Sequence, residues 1–209
     1  KPVFVDVYEE TYNMDVNLIE SKITPKTKAI VPVHLYGNPC NMTKIKEIAD
    51  KHNLLVVEDA CHTIDAKYKG KSPGTFGDAG CFSLHPLKNL HVWGDGGFII
   101  TNSKKMHDKL VLLRNHGLIN RDECGFWSYN SRLDSIQAIV ANHLMKKLDN
   151  ITNSRISNAE FFDMELSKIS EITIPKSFID EVQNSWQLKH TQPHTEKEVI
   201  EMWNELSEE

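Results

Sequence analysis

The chain has 209 residues, enough for one hydrophobic core or for one core with part of a second domain. Its net charge of −5 and pI near 6.1 argue against a nucleic-acid or anionic-membrane partner, because either partner favours a basic surface. No apolar run approaches the ~20 residues that span a bilayer, and the N-terminus has no signal-peptide pattern, so we expect a cytoplasmic protein. The four cysteines form no C-x-x-C pair; we expect buried thiols and no metal site.

Short apolar runs alternate with amphipathic stretches, which is typical of an α/β protein. Strands are predicted over residues 3–7, 29–33, 54–57, 80–84 and 98–101. Helices are predicted over residues 15–23, 41–52, 103–115 and 132–148, with Asn41 or Thr43 and Ser103 as N-caps. The last helix should turn one stripe inward, formed by Leu133, Ile136, Val140 and Leu144. Further helix to about residue 169, a strand from Ile172 and a surface helix over residues 196–206 complete the prediction.

Polar residues follow the predicted strands at the points where these strands end. Asp59 closes one buried strand, Ser83 lies near the end of another, and Lys88 follows in the next loop. In a parallel sheet, ligands bind beyond the carboxyl ends of the strands, so these three side chains can converge on one crevice. An isolated Asp59 could also simply cap the next helix, and Ser83 could bond only to backbone.

A lysine and a carboxylate in one crevice are the two groups that a pyridoxal phosphate enzyme needs. The lysine forms the covalent link to the cofactor, and the carboxylate faces the pyridine nitrogen to keep the ring a good electron sink. Around these residues the chain contains EDACH, GDAGCFSLHPLKNL, GDGG, LRNHG and YNSRLDSIQA, in this order. Together these motifs closely resemble the DegT/DnrJ/EryC1/StrS family of sugar aminotransferases. The resemblance extends from about Pro2 to about Leu166, and fails beyond Asn184.

The resemblance implies a role for each matching residue. Lys88 would hold pyridoxal 5'-phosphate, and Asp59 would face its ring nitrogen. His62 would lie near the phenolic oxygen of the cofactor, although a structural histidine would look the same in sequence. Ser83 would contact the phosphate, and Asn130 would contact the phosphate in a neighbouring subunit, so that a homodimer shares its active sites.

Two further features near the predicted crevice have alternative interpretations. His34 lies in a stretch, VHLYG, that is close to the active site in the family, but it could equally bond to loop backbone. The loop over residues 118–129 contains Phe126, Trp127 and Tyr129. In the family this loop reaches the neighbouring subunit; the alternative is that its aromatic residues pack into the core of their own chain.

The resemblance implies transfer of an amino group from an amino acid, expected to be glutamate, to a keto sugar that is expected to be nucleotide-linked. Such chemistry serves the biosynthesis of amino sugars for surface polysaccharides and related glycans. One subgroup of the family has histidine in place of the lysine and catalyses dehydration, which Lys88 disfavours here. A different class remains open, namely a non-catalytic binding or regulatory protein that retains the fold.

The implied fold is that of fold-type I pyridoxal phosphate enzymes, a three-layer α/β/α arrangement around a mostly parallel sheet. Residues 1–148 would form part of the large cofactor-binding domain. Residues 149–209 would form a linker helix and part of a smaller α/β C-terminal domain. Family members are nearly twice as long, and their N-terminal phosphate loop and stacking aromatic residue have no match here, so we expect a fragment of a longer protein or a truncated gene product.

Overall fold

The structure is a computed structural model that describes residues 1–174, 182–185 and 192–193. Its strands are, in chain order, β1 (Ala29–Ile30), β2 (Leu55–Asp59), β3 (Lys67–Tyr68), β4 (Ala79–Ser83), β5 (Gly97–Ile100), β6 (Ile172–Thr173), β7 (Val182–Gln183) and β8 (Gln192–Pro193). The central sheet has four strands in the order β1-β2-β4-β5, the first three parallel and β5 antiparallel. The predicted α/β fold with a mostly parallel sheet is therefore confirmed.

The helices are α1 (Ile19–Lys22), α2 (Met42–Lys51), α3 (Lys104–Leu113), α4 (Ser135–Met145) and α5 (Leu148–Leu166). Two predicted caps are confirmed. The Asn41 side chain accepts a hydrogen bond from the Lys44 amide at the start of α2, and Ser103 accepts one from the Met106 amide at the start of α3. No helix in the described part of the chain combines the length and apolar character that crossing a membrane requires.

The larger hydrophobic core lies between α2 and the sheet. Apolar residues spaced three and four apart line one face of α2 and are almost fully buried: Met42, Ile45, Ile48 and Ala49. They pack with Val56 of β2, Ile30 of β1 and Tyr68 of β3. A second cluster, formed by Ile64, Leu84, Leu90, Val92 and Leu148, supports the segment that follows β4. The first cluster thus anchors β2 through Val56, and the second anchors the segment that follows β4.

Two predictions near the N-terminus are wrong. Residues 3–7 form no strand; only Val7 makes a single bridge, to Met14, because the described residues supply no neighbouring strand for a ladder. The helix predicted over residues 15–23 is shortened to α1. Asp15 accepts the Asn17 amide through its side chain and the Leu18 amide through its carbonyl, which makes a turn instead of a first helical turn.

The C-terminal helices also differ from the prediction. The helix over residues 132–148 is interrupted, because Lys147 leaves the helical conformation (φ −111°, ψ 2°) between α4 and α5. On α4, Val140 is buried as expected, but Ile136 is 61% exposed, so the predicted inward stripe is wrong at that position. The strand predicted from Ile172 is present as β6, which pairs with β8. The helix predicted over residues 196–206 lies outside the described residues.

The expectation that all cysteines are buried holds only in part. Cys40 is buried, Cys61 and Cys81 are half-buried, and Cys124 is exposed, although all four are free thiols. Cys124 lies in the loop after α3, where its thiol donates to the carbonyl of Phe126 instead of packing into a core. Its exposure corrects the prediction for this residue.

Candidate active site

The candidate active site lies at the carboxyl ends of the two neighbouring parallel strands β2 and β4. Asp59 is the last residue of β2, and its pairing partner on β4 is Cys81. Because side chains alternate along a strand, Ser83 lies on the same face of β4 as Cys81, two residues closer to the end. The sheet therefore places a carboxylate and a hydroxyl on one face of its carboxyl edge.

Two hydrogen bonds to the segment of residues 32–34 fix the backbone of Asp59. Its amide donates to the Pro32 carbonyl at 2.9 Å, and its carbonyl accepts the His34 amide at 3.0 Å. Its side-chain Oδ1 accepts the Cys61 amide at 3.1 Å. The alternative interpretation, a cap for a following helix, is wrong, because Asp59 is followed by a turn; its Oδ1 instead fixes this turn, and that bond does not use the second carboxylate oxygen.

Lys88 lies in a tight turn that follows β4. Its amide donates to the His85 carbonyl at 2.9 Å, and the next residue, Asn89, is buried and donates its side-chain amide to the Ser185 carbonyl at 2.8 Å. At the start of the turn, the Ser83 hydroxyl accepts the His85 amide at 3.2 Å. The backbone contact predicted as the alternative role of Ser83 is therefore present, and the hydroxyl proton is not used in it.

The electrostatics place Asp59, Cys61, His62 and Lys88 in one cluster. Burial lowers the pKa of Lys88 below its ordinary value, and the neighbouring Cys61 and Asp59 only partly oppose this effect. Burial, together with the hydrogen bond to Asp59, raises the pKa of Cys61 to about 12. A lysine with a lowered pKa has a larger fraction of neutral amine, which is the form that attacks carbonyl groups.

His62 lies at the rim of this cluster in a defined tautomer. Its Nδ1 accepts the amide of Tyr36 at 3.1 Å, so the neutral ring carries its proton on Nε2 and can donate it there. Burial lowers the pKa of His62, and Lys88 lowers it further, while Asp59 opposes both effects. The ring of Tyr36 stacks near the imidazole, with centroids 6.3 Å apart. His62 is therefore held in place through Nδ1 and can donate a hydrogen bond through Nε2.

The described contacts of Asn130 are with Asn115 and Arg132. Its backbone forms a bridge with Asn115, and its side-chain oxygen accepts a hydrogen bond from Arg132 Nε at 2.8 Å. In the same loop Trp127 is 98% and Tyr129 83% exposed. These two aromatic rings do not pack into the core of their own chain, which rules out that alternative for them.

The sequence prediction missed three buried polar residues around the site, Glu58, Asn89 and Ser185. Glu58 and His34 are both fully buried, and His34 Nε2 lies 3.0 Å from Glu58 Oε2. For His34 the hydrogen-bonding interpretation is correct, since its Nδ1 also accepts the amide of Cys40. The available signal was a glutamate directly after the apolar run that forms β2. Asn89 and Ser185, which tie down the lysine turn, are 96 residues apart and gave no such signal.

The donor set fits pyridoxal phosphate. A primary amine with a lowered pKa, a strand-end carboxylate, a hydroxyl and an imidazole N–H are the groups that such a cofactor requires at its aldehyde, ring nitrogen, phosphate and phenolic oxygen. In the part of the chain that the structure describes, no group of three or more His, Cys, Asp or Glu side chains could hold a metal ion.

Comparison with known proteins identifies the family of this chain. The model of the DegT/DnrJ/EryC1/StrS aminotransferase family matches residues 1–209, so the likeness extends further than the sequence motifs indicated. A UDP-N-acetyl-3-dehydro-alpha-D-glucosamine 3-aminotransferase from Acidithiobacillus ferrooxidans is 49% identical over 139 residues, covering 66% of this chain and 38% of that protein. A protein from Geobacillus stearothermophilus named pleiotropic regulatory protein is 40% identical over 181 residues, covering 86% of this chain and 49% of that one.

Solved structures of aminotransferases have the same fold as this chain. DesV from S. venezuelae, determined in complex with a ketimine intermediate, superposes with a TM-score of 0.89 at 33% identity, covering 98% of this chain and 55% of that chain. The chain thus spans about half the length of the proteins it matches.

Proposed function

Since this chain belongs to the DegT/DnrJ/EryC1/StrS aminotransferase family, we propose that it is the cofactor-binding part of an aminotransferase that acts on a nucleotide-linked keto sugar. Enzymes of this family use pyridoxal phosphate. The observation that carries the proposal is the cluster of Lys88, Asp59 and His62 at the carboxyl edge of the sheet, in which the pKa of Lys88 is lowered.

Four side chains of this chain would hold the cofactor. Lys88 would bind its aldehyde carbon covalently, and Asp59 would face the protonated ring nitrogen. The Nε2 proton of His62 would face its phenolic oxygen, and the hydroxyl of Ser83 would donate to its phosphate. Bound in this way, pyridoxal phosphate supplies an electron sink for the pair of electrons left when the Cα proton of an amino acid is removed.

The residues themselves carry the proton transfers. Lys88 Nζ would act as the general base that takes the proton from the Cα atom of the amino donor, and would hold that proton for return to the reacting carbon. Its lowered pKa suits this role, because a larger fraction of the amine is then neutral and able to accept a proton. Asp59, at the end of β2, would accept a hydrogen bond from the protonated ring nitrogen.

The nucleotide-linked substrate is supported by relatives, since the Acidithiobacillus ferrooxidans protein is named for a UDP-linked keto sugar. We propose glutamate as the amino donor and a role in making amino sugars for surface polysaccharides or related glycans. We also propose a cytoplasmic location, which agrees with the four free thiols.

We further propose a homodimer with shared sites, in which Asn130 contacts the cofactor phosphate in the other subunit. Support comes from the loop of Asn130, whose Trp127 and Tyr129 rings are almost fully exposed in the single chain. We propose residues 1–148 as part of the large domain and residues 149–209 as a linker helix with part of the small domain. The central sheet lies within the first range, and α5 begins at Leu148.

The test is a covalent trap of the lysine. The purified chain is mixed with pyridoxal phosphate, its absorbance is recorded, and the mixture is reduced with borohydride before peptide mapping by mass spectrometry. We expect a reduced adduct on Lys88, its loss in Lys88→Ala, and no change in the matched control Lys109→Ala, an exposed lysine of α3. An unchanged adduct in Lys88→Ala would contradict the assignment.

A non-catalytic regulatory or binding protein is the second candidate. One observation favours it: the Geobacillus stearothermophilus relative carries the name of a regulatory protein. The same trap separates the two candidates, because a purely regulatory chain needs no cofactor bound to Lys88. Dehydration is disfavoured, because the chain has lysine where that subgroup has histidine.

A further inference from the structure

Glu58 is a fully buried carboxylate, surrounded by hydrogen-bond donors, that lies directly beside Asp59 in the chain. Its Oε1 accepts the amides of Phe76 and Gly77, and its Oε2 accepts the amide of Gly74 at 2.7 Å and the imidazole of His34 at 3.0 Å. Burial opposes ionisation of this carboxyl, but the bonds from His34, Gly77 and Gly74 outweigh it and lower its pKa. Glu58 is therefore an anion held by four donors.

His34 is a neutral donor in this arrangement. Its Nδ1 accepts the amide of Cys40 at 3.0 Å, so the ring proton resides on Nε2 and points at Glu58 Oε2. The pair is thus a neutral imidazole donating to a carboxylate, and both side chains are 0% exposed.

This pair is connected to Asp59 through the backbone. Alternation along β2 places the Glu58 side chain on the face opposite that of Asp59. The segment of residues 32–34, which the side chain of His34 fixes to Glu58, supplies the Pro32 carbonyl and the His34 amide that bracket Asp59. Through the same carboxylate, Glu58 also holds the loop of residues 74–77 against the strand. If the bond between Glu58 and His34 were lost, the segment of residues 32–34 would hold the backbone of Asp59 less firmly.

We propose that Glu58 and His34 are positioning residues that fix the Asp59 carboxylate in the orientation needed for a cofactor ring nitrogen. The role of Asp59 in this inference rests on the proposed function. Neither Glu58 nor His34 touches the reacting groups, since both are fully buried on the other face of the sheet.

The variant that tests the pair is Glu58→Gln, which keeps the size of the side chain but replaces one acceptor oxygen with an NH₂ donor. The single oxygen of glutamine can accept the two N–H groups at one of the former carboxylate positions. Its NH₂ group then faces the two N–H groups at the other position, and donors cannot bond to donors. Tyr68→Phe is the matched control. It removes a buried hydroxyl that donates to Asn41 and lies in the same core, without a bond to His34 or Asp59.

The first readout is amide hydrogen exchange in the 209-residue chain without cofactor. In Glu58→Gln we expect the amides of His34, Asp59 and Cys61 to exchange about 10-fold to 100-fold faster, relative to the amide of Leu110 in α3, as for one lost hydrogen bond to a charged group. In Tyr68→Phe the ratio should not change. Equal acceleration at all four amides in Glu58→Gln would overturn the inference. Should Glu58→Gln not fold, His34→Phe removes only one of the four donors and is read in the same way.

The second readout separates this inference from the proposed function. With ¹⁵N-labelled pyridoxal phosphate bound, the ring-nitrogen resonance should report a protonated nitrogen in the wild-type chain and should move towards the neutral position in Glu58→Gln. An unmoved resonance in Glu58→Gln would overturn the positioning role. A wild-type chain that binds no cofactor would contradict the proposed function, while the exchange ratio would still decide whether Glu58 and His34 hold Asp59.

Discussion

Gly80 is a position at which one added methyl group should lower the stability of the fold, next to the buried carboxylate of Glu58. Gly80 lies in the middle of β4, buried and paired with Glu58 of β2. An ideal Cβ at this position would lie 2.7 Å from the carbonyl carbon of Gly74 and closer still to the Cα and the carbonyl oxygen of Gly74. Because all three atoms belong to the backbone, they cannot swing away as a side chain would. Gly80→Ala must therefore push the loop of residues 74–77 off the sheet.

The cost has two parts. Overpacking a tight interior by one methyl group costs roughly 1–3 kcal/mol. Displacing the loop also weakens the 2.7 Å bond from the Gly74 amide to Glu58 Oε2, and a bond to a charged group contributes about 1.5–3 kcal/mol. We therefore expect Gly80→Ala to lower the free energy of unfolding by about 3–5 kcal/mol, a large part of the ~5–15 kcal/mol that stabilises a typical domain.

The assay is equilibrium unfolding in urea, with Gly70→Ala as the matched control. Gly70 has open space around its Cα, so alanine there costs only the strain of its positive φ of 76°, about 1–2 kcal/mol. Gly80→Ala should unfold at a clearly lower urea concentration than Gly70→Ala. If Gly80→Ala is as stable as Gly70→Ala, the steric argument and the account of the loop as a rigid support for Glu58 are both wrong.

Three further outcomes follow from single side chains. Asn41→Ala removes the acceptor for the Lys44 amide at the start of α2 and should lower the free energy of unfolding in urea by about 1–2 kcal/mol; no loss would contradict the cap. At pH 8 iodoacetamide should label half-buried Cys61 far more slowly than exposed Cys124, because a pKa of about 12 instead of 9.0 leaves about 1000-fold less thiolate; equal rates would refute the pKa shift. Lys88→Met should be more stable than the wild type at pH 7 and should lose this advantage towards pH 10.5. The reason is that the unfolded chain binds the Lys88 proton more tightly than the folded chain, so the stability of the wild type rises with pH. If the difference in unfolding free energy between the two proteins, measured in urea, stays constant across this range, the lowered pKa of Lys88 is refuted.

Local patterns were sufficient for much of the fold. The buried strand before Asp59, the strand before Lys88 and the caps Asn41 and Ser103 were predicted near their observed positions. Each depends on residues a few positions apart, and hydrophobic periodicity and capping chemistry act over that distance. The roles of Asp59, His62, Ser83, Lys88 and Asn130 toward a cofactor remain predictions from the family resemblance.

Pairing between distant segments limited the remaining predictions. Residues 3–7 have the composition of a strand, yet they form none because the described residues offer no strand beside them. Ile136 fits a helical stripe, yet it is 61% exposed, because packing against other elements decides which side of α4 faces inward. Neither outcome can be read from the residues of the segment alone.

The sequence by itself determined which chemical groups follow which strands, and hence the amine, carboxylate and hydroxyl at the carboxyl edge of the sheet. Only the tertiary structure determined what holds them. Glu58 and His34 are 24 residues apart, and the amides of Gly74 and Gly77 are 16 and 19 residues from Glu58. A buried charge must find its donors wherever the folded chain brings them, so the anchor beneath Asp59 became visible only when β2, the loop of residues 74–77 and the segment after β1 were packed together.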